Sequence, residues 1–175
     1  MKFLNPKEVV SQIHLSVGSD VIDFGFGSGA FLELILNQIG LEGNLYAYEL
    51  DENFIQKLES DFKQKGTKNI FFSKINLENE QTELKDESVD FVLISSVLFM
   101  LENKKNIINE TYRILKKNGR VLIIDWKESF KNIGPFEKNV FSEEKTKMLL
   151  KESPFEFERN IDVGDYHYGL IYRKK

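Results

Sequence analysis

The stretch VIDFGFGSGAF, Val21 to Phe31, decides how the rest of the chain is read. It is an apolar run that ends in alternate glycines, Gly25, Gly27 and Gly29, and then enters a segment of helical periodicity. Strand, glycine turn and helix in that order form the first crossover of a doubly wound sheet. The glycines permit a tight turn and a close approach of backbone to ligand. Asp23 complicates the picture. It places a carboxylate inside the strand, just before the turn where most nucleotides carry phosphate.

Outward from this unit the chain alternates. DVIDFG (20–25) reads as the first strand, and AFLELILNQIG follows as a helix with Leu32, Ile35, Leu36 and Ile39 at helical spacing. NLYAYEL (44–50) is a second strand. DENFIQKLESDFKQKG is a second helix, with Asp51 as N-cap, Phe54, Leu58 and Phe62 on one face, and Gly66 as its stop. NIFFSKIN (69–76) is a third strand, and VDFVLISSVLFML begins as a fourth. NKKNIINETYRILKKNG is a helix with Ile107, Ile108, Tyr112 and Leu115 inward, and RVLIIDW (120–126) is the fifth strand. SEEKTKMLLKES is a last helix, with acids in the first turn where the helix dipole favours them. Such alternation implies a parallel sheet with helices on both faces, and the nearly continuous apolar strands agree. The tail differs. Phe155, Phe157, Ile161 and Val163, then Tyr166, Tyr168, Leu170 and Tyr172, recur with period two, as antiparallel strands do. Gly164-Asp165 predicts a two-residue hairpin turn between them.

The totals bound the function. A chain of 175 residues fits one domain, 1–175. A net charge of −4 argues against a dedicated nucleic-acid binder. The absence of cysteine excludes disulfides, thiolate metal sites and cysteine nucleophiles. No apolar run has the length of a signal core or a membrane span, so the cytoplasm is the default location. The lysine pairs Lys104-Lys105, Lys116-Lys117 and Lys174-Lys175 read as solvated charge.

The glycine turn alone does not choose a ligand, because Gly25, Gly27 and Ala30 also satisfy the dinucleotide pattern G-x-G-x-x-G/A. Asp23 separates the readings. A carboxylate a few ångströms from a pyrophosphate costs on the order of several kcal/mol at an effective dielectric near 20. S-adenosylmethionine carries no phosphate. It offers an ammonium, a sulfonium and one carboxylate that a helix N-terminus can receive. Glu49, at the tip of the second strand, can accept hydrogen bonds from ribose hydroxyls. A purely structural Asp23 that ties down the loop through backbone N–H groups is the competing reading, and both roles can hold together.

With those residues in place, the sequence resembles the class I S-adenosylmethionine-dependent methyltransferases, nearest the ubiquinone/menaquinone C-methyltransferase type. VIDFGFGSG looks like that family's first motif, YAYELDENF like its second-strand motif, and ETYRILKKNGRVLIIDW like its helix–turn–fifth-strand unit. The resemblance implies a Rossmann-like three-layer α/β sandwich, with seven strands in the order 3-2-1-4-5-7-6 and an antiparallel last strand. It implies S-adenosyl-L-methionine as cofactor, a small-molecule methyl acceptor, no nucleic acid, and room for a homo-oligomer. Carried over, Asp23, Phe24, Gly25, Gly27, Ser28 and Gly29 surround the methionine end, and Glu49 and Leu50 the ribose. Asn76 and Leu77 flank the adenine, and Ser95, with Ser96, borders the reaction centre. Three departures stand out: Asn76 replaces the usual aspartate, Phe26 a smaller residue, and Lys117-Asn118-Gly119 the usual Pro-Gly. Arsenite methylation is excluded, since that chemistry uses cysteine thiols.

Methyl transfer needs a base only where the acceptor must lose a proton in the reaction. Asp125, at the end of the fifth strand, and His167, in the last, are the catalytic candidates. A cap at Asp125 and an exposed or hydrogen-bonded histidine at 167 are the plainer alternatives. Trp126 reads as a packing wall, and segment 127–141 as a loop able to fold over the site. Two other functions stay in view: a nicotinamide-dependent oxidoreductase, and a non-catalytic S-adenosylmethionine-binding module.

Overall fold

The computed structural model describes residues 1–131 and 133–175. The alternation seen in the sequence closes into one seven-stranded sheet. Its elements run α1 (Pro6–Ile13), β1 (Asp20–Phe24), α2 (Leu32–Ile39), β2 (Asn44–Glu49), α3 (Glu52–Gln64), β3 (Ile70–Lys74), β4 (Val89–Ser95), α4 (Lys104–Ile114), β5 (Leu115–Trp126), α5 (Glu143–Lys151), β6 (Phe155–Asn160) and β7 (His167–Lys174). The strand order is β3-β2-β1-β4-β5-β7-β6, as the resemblance implies. Only β7 runs against the rest, pairing antiparallel with both β5 and β6.

Strand alternation divides the core into two layers. Val21, Leu45, Leu93, Leu122, Ile124 and Ile171 face α1, α2 and α3. Ile22, Phe24, Val92, Ile94, Val121, Ile123 and Leu170 face α4 and α5. The helix ends follow local chemistry. Asp51 accepts from the Asn53 N–H to cap α3. At its other end, Gly66 at φ +74 lets its own N–H and that of Thr67 bond back to Lys63 and Phe62, which is the Schellman arrangement.

Several expectations fail locally. In α3 the inward face is Ile55, Leu58 and Phe62, and Phe54 is exposed. The helix before β5 stops at Ile114, not at Gly119. Leu115 already pairs with Val89, and residues 116–119 form a bulge before Arg120 rejoins Phe91. A Cβ at Gly119 would lie 2.8 Å from the Lys116 carbonyl and 3.2 Å from that of Asp90, so only glycine fits this fold-back. Gly164-Asp165 is not a two-residue turn. The loop from Ile161 to Tyr166 is pinned by the N-terminal segment, with the Asp165 N–H donating to the Lys2 carbonyl at 2.8 Å. A register shift between Phe157 and Arg159 breaks the alternation of β6 and leaves Phe157 exposed.

The lysine pairs are not uniformly solvated. Lys174 is 5% exposed, its Nζ donating to the Leu115 carbonyl at 2.7 Å and lying 3.2 Å from Glu87. Lys104 donates to the Leu101 carbonyl and sits over the Phe141 ring. Lys116 pairs with Asp90 at 2.9 Å. Lys104 opens α4, Lys116 lies at the start of β5 and Lys174 closes β7, so each sits at an element's end beside carbonyls or carboxylates that attract a cation.

Candidate cofactor and acceptor site

The C-terminal tips of the parallel strands form one edge of the sheet, and strand register fixes which side chains share a face there. Asp23 pairs with Ala47 and Leu93, both of the layer that meets α2. Two residues beyond those partners come Glu49 and Ser95, and Ser95 pairs with Ile124. Two beyond Ile124 comes Trp126, opposite His167. Asp23, Glu49, Ser95, Trp126 and His167 therefore stand in a row across the same face.

The turn after β1 is built as the sequence predicts. Gly25, Gly27 and Gly29 all have positive φ. A Cβ on Gly25 would lie 2.5 Å from Val97 Cγ2, so this glycine lets the β4 loop close on the turn. Gly27 has open space around it, and its N–H donates to Glu49 Oε2 at 2.9 Å. Gly29 serves a different purpose: it faces Leu58 of α3 and allows the start of α2 to pack there. The Phe24 ring lies wholly in the core, and Phe26 packs under the turn, edge-on to Phe72 at 5.4 Å, so it does not constrict the loop. Phe31 begins α2 without a side-chain cap; the Leu32 N–H donates to the Gly29 carbonyl at 3.2 Å, which leaves the N–H groups just after it for an external acceptor.

Between this turn and the next tips lies a cleft of about 320 Å³. Gly25, Glu49, Leu50, Ile75, Asn76 and Leu77 line it, and Val97, Met100 and Leu101 close it from the β4 loop. The sequence reading missed those last three. It let VDFVLISSVLFML begin as a strand without placing the strand's end; β4 ends at Ser95, and Ser96 turns the chain at φ +58. Glu49 anchors the cleft by accepting also from the N–H of Leu50 at 2.7 Å and of Asp51 at 3.2 Å. Asn76 directs its Oδ1 to the Glu78 N–H at 3.0 Å, an Asx turn that shapes the loop after β3. Its amide leaves donors where the family's aspartate would offer acceptors. Glu78 in turn holds the N–H groups of Glu102 and Asn103 ahead of α4.

Asp23 is 1% exposed, and its Oδ2 has no hydrogen-bond partner among the described residues. Burial, with the Glu49 charge adding to it, pushes its pKa up to about 7. A buried acceptor left unpaired costs about 1–3 kcal/mol. Asp125 contrasts with it. It is equally buried but accepts from the N–H of Phe99 at 3.2 Å and of Trp126 at 2.8 Å. Burial still raises its pKa, to about 6. Its side chain lies in the opposite layer from Asp23, by alternation with Ile124 and Trp126, and it anchors the loop that closes the cleft. Those backbone bonds are the ones a cap makes.

His167 is neither exposed nor hydrogen-bonded at Nδ1, contrary to the plain reading of a strand histidine. Its ring lies 4.2 Å from that of Trp126, and burial lowers its pKa. The segment after β5 does fold back here: a Cβ on Gly134 would lie 2.6 Å from Trp126 Cε3, so the chain rests on the indole. Residue 132 of that segment lies outside the described residues. Among the described residues no cluster of histidine and carboxylates could hold a metal ion, and no helix is long and apolar enough to cross a membrane.

The same architecture recurs among known proteins. The family model described as a methyltransferase domain matches residues 22–123, and the chain belongs to that family. A SAM dependent methyltransferase from Aquifex aeolicus superposes with a TM-score of 0.88 at 26% identity, over 98% of this chain and 90% of that one. An arsenite methyltransferase from Halobacterium salinarum is 26% identical over 121 residues, 69% of this chain. A demethylmenaquinone methyltransferase from Listeria welshimeri is 24% identical over 132 residues, 71% of this chain. The chain spans 30% and 55% of the length of those two relatives.

S-adenosylmethionine is the cofactor that goes with this family and fold, and the residues fit it. The unpaired Asp23 carboxylate suits a cation and the uncapped α2 start suits a carboxylate. Glu49 suits a ribose, and the apolar walls of Leu50, Leu77 and Met100 suit a flat base.

Proposed function

We propose that the chain transfers a methyl group from S-adenosylmethionine to a small-molecule acceptor. The observation that carries this reading is the buried Asp23 carboxylate without a partner, at the mouth of a glycine turn that Glu49 completes. A pyrophosphate would be repelled there, which disfavours a nicotinamide cofactor. When bound, S-adenosylmethionine supplies an electrophilic methyl on a sulfonium. The chain's own residues position and desolvate. Asp23 and the α2 start fix the two ends of the amino-acid moiety, and Glu49 with Gly27 fixes the sugar. Val97, Met100 and Leu101 exclude water from the cleft. Glu49, Gly25, Asn76 and Leu77 are the cofactor residues on this reading, and Ser95 stands where the acceptor begins. With no cysteine in this sequence there is no thiol here for arsenic, which disfavours the acceptor named for its Halobacterium relative.

The test is calorimetric titration with S-adenosylhomocysteine, with NADH in parallel and Glu49→Gln as control. Micromolar binding of the thioether, weakened in the variant and absent for NADH, is the expected result. Preference for NADH would refute the reading. Binding without turnover across a broad acceptor panel would favour a binding module instead.

A further inference from the structure

The cofactor cleft leaves one buried group unexplained. His167 opens β7 at the tip edge of the sheet, on the face that carries Asp23 and Ser95. It is 6% exposed, yet Nδ1 has no partner among the described residues. Folded proteins pair nearly all such atoms, and an exception asks for a ligand, a water or a catalytic role. The neighbours offer nothing. The Trp126 ring covers one side at 4.2 Å. The nearby cation, Lys127, directs its Nζ to the Gly164 carbonyl. Burial keeps the imidazole neutral at physiological pH, with one nitrogen donating and the other accepting.

Aromatic rings also gather on the preceding residue, Tyr166. Phe130 meets Tyr166 edge-on at 4.8 Å, and Phe3 stacks on Tyr166 at 4.7 Å. Tyr166 is the residue before His167. The lateral reach also fits. Ser95 and His167 lie two strands apart and one pleat apart in height, about 12 Å at ordinary strand spacing. That span matches the length of one or two fused rings.

We propose that His167 binds the methyl acceptor, its imidazole holding a hydroxyl or N–H of an uncharged, flat molecule that reaches from the β4 tip past the edge of Trp126 to β7. The assignment rests on the methyltransferase reading for the identity of that molecule as acceptor. His167 holds the end remote from the cofactor cleft. It orients the acceptor and does not take a proton from the methylated atom.

Trp126 is the one tryptophan of the chain, so its indole N–H gives a single, site-specific amide-type resonance. Phenol and toluene, alike in shape and different in one hydroxyl, are titrated separately onto protein saturated with S-adenosylhomocysteine. Both shift the Trp126 resonance saturably, and phenol binds about tenfold more tightly, the worth of one hydrogen bond. His167→Phe keeps the ring volume and abolishes the preference. His167→Gln, which restores a donor and an acceptor, recovers part of it. Equal binding of the two probes to the native chain overturns the proposal. So does an unmoved Trp126 resonance, or a preference that survives in both variants. The amides of Gly25 and Gly27 report the cofactor in the same spectra. If they ignore S-adenosylhomocysteine, the methyltransferase reading fails, while the phenol and toluene titrations on the unloaded chain still decide the role of His167.

Discussion

Cofactor affinity is expected to depend on pH through Asp23. Its pKa is raised from an ordinary 3.8 to about 7, first by burial and then by the Glu49 charge. At pH 6 about nine in ten free molecules carry the neutral acid, whereas at pH 8 about nine in ten carry the carboxylate. A ligand ammonium or sulfonium pairs only with the carboxylate. Binding at pH 6 must therefore expel a proton, and affinity falls about tenfold from pH 8 to pH 6. Titration of S-adenosylhomocysteine at pH 6, 7 and 8, in buffers of different ionisation enthalpy, measures both the affinity and the protons released. Asp23→Asn removes the dependence. Glu49→Gln withdraws the neighbouring charge and moves the inflection to lower pH. The folding consequence has the opposite sense from that of a salt-bridged acid. The folded chain holds the Asp23 proton more tightly than the unfolded chain. Stability is therefore lost as pH rises from about 4 to about 7, by roughly 4 kcal/mol at 1.36 kcal/mol per unit. Asp23→Asn should then be more stable than the native chain at pH 8 without ligand, and bind worse. Affinity that stays flat from pH 6 to 8, with no proton released, would refute the reasoning.

Further outcomes follow from the geometry. Gly25→Ala forces a Cβ into Val97 at a positive φ, and is expected to cost about 2 kcal/mol or more in urea unfolding and to close the cleft to the cofactor. Asp125→Ala strands the N–H groups of Phe99 and Trp126. It should lower stability by about 2 kcal/mol and, by freeing the β4 loop, weaken cofactor binding in calorimetry. Lys174→Met leaves the Leu115 carbonyl unpaired, and should lower the melting temperature without changing cofactor affinity.

Much of this fold was legible because the chain repeats one physical pattern. Apolar strands buried on both faces, helices with a 3.6 period and glycines that need positive φ all leave local traces, and Gly25 and Glu49 could be placed from them, Asn76 from the family resemblance. Where the sequence misled, a long-range contact had overruled a local preference. Gly164-Asp165 has the composition of a tight turn, but the N-terminal segment at residues 2–3 occupies its flank. Lys174 has the composition of a solvated tail, but β7 carries it to the end of α4. The bulge at 116–119 hides inside a helical pattern, because nothing in LKKNG reveals that Leu115 has a partner in Val89. Val97, Met100 and Leu101 were missed for a related reason. Their apolar run continues the texture of the strand, and only the positive φ of Ser96 shows the chain turning away.

The unpaired groups carry the synthesis furthest. Several buried polar side chains elsewhere in the fold are answered. Glu110 is met by Thr82 and Arg113, Asp125 by backbone N–H groups, Lys174 by a carbonyl, and Thr146 by Tyr168. Among the described residues, Asp23 Oδ2 and His167 Nδ1 are two of the four buried side-chain polar atoms left without a partner. The other two, Thr111 Oγ1 and Arg159 Nη1, lie on α4 and β6, away from the tips of the central strands. Asp23 and His167 share one face of the sheet and one edge, three strands apart, with Ser95 and Trp126 between them. Chance burial would not align them so. An acid at one end and a neutral imidazole at the other require different partners, a cation and an uncharged hydrogen-bonding group. Those are the needs of a sulfonium donor and a neutral acceptor laid side by side across the same strand tips.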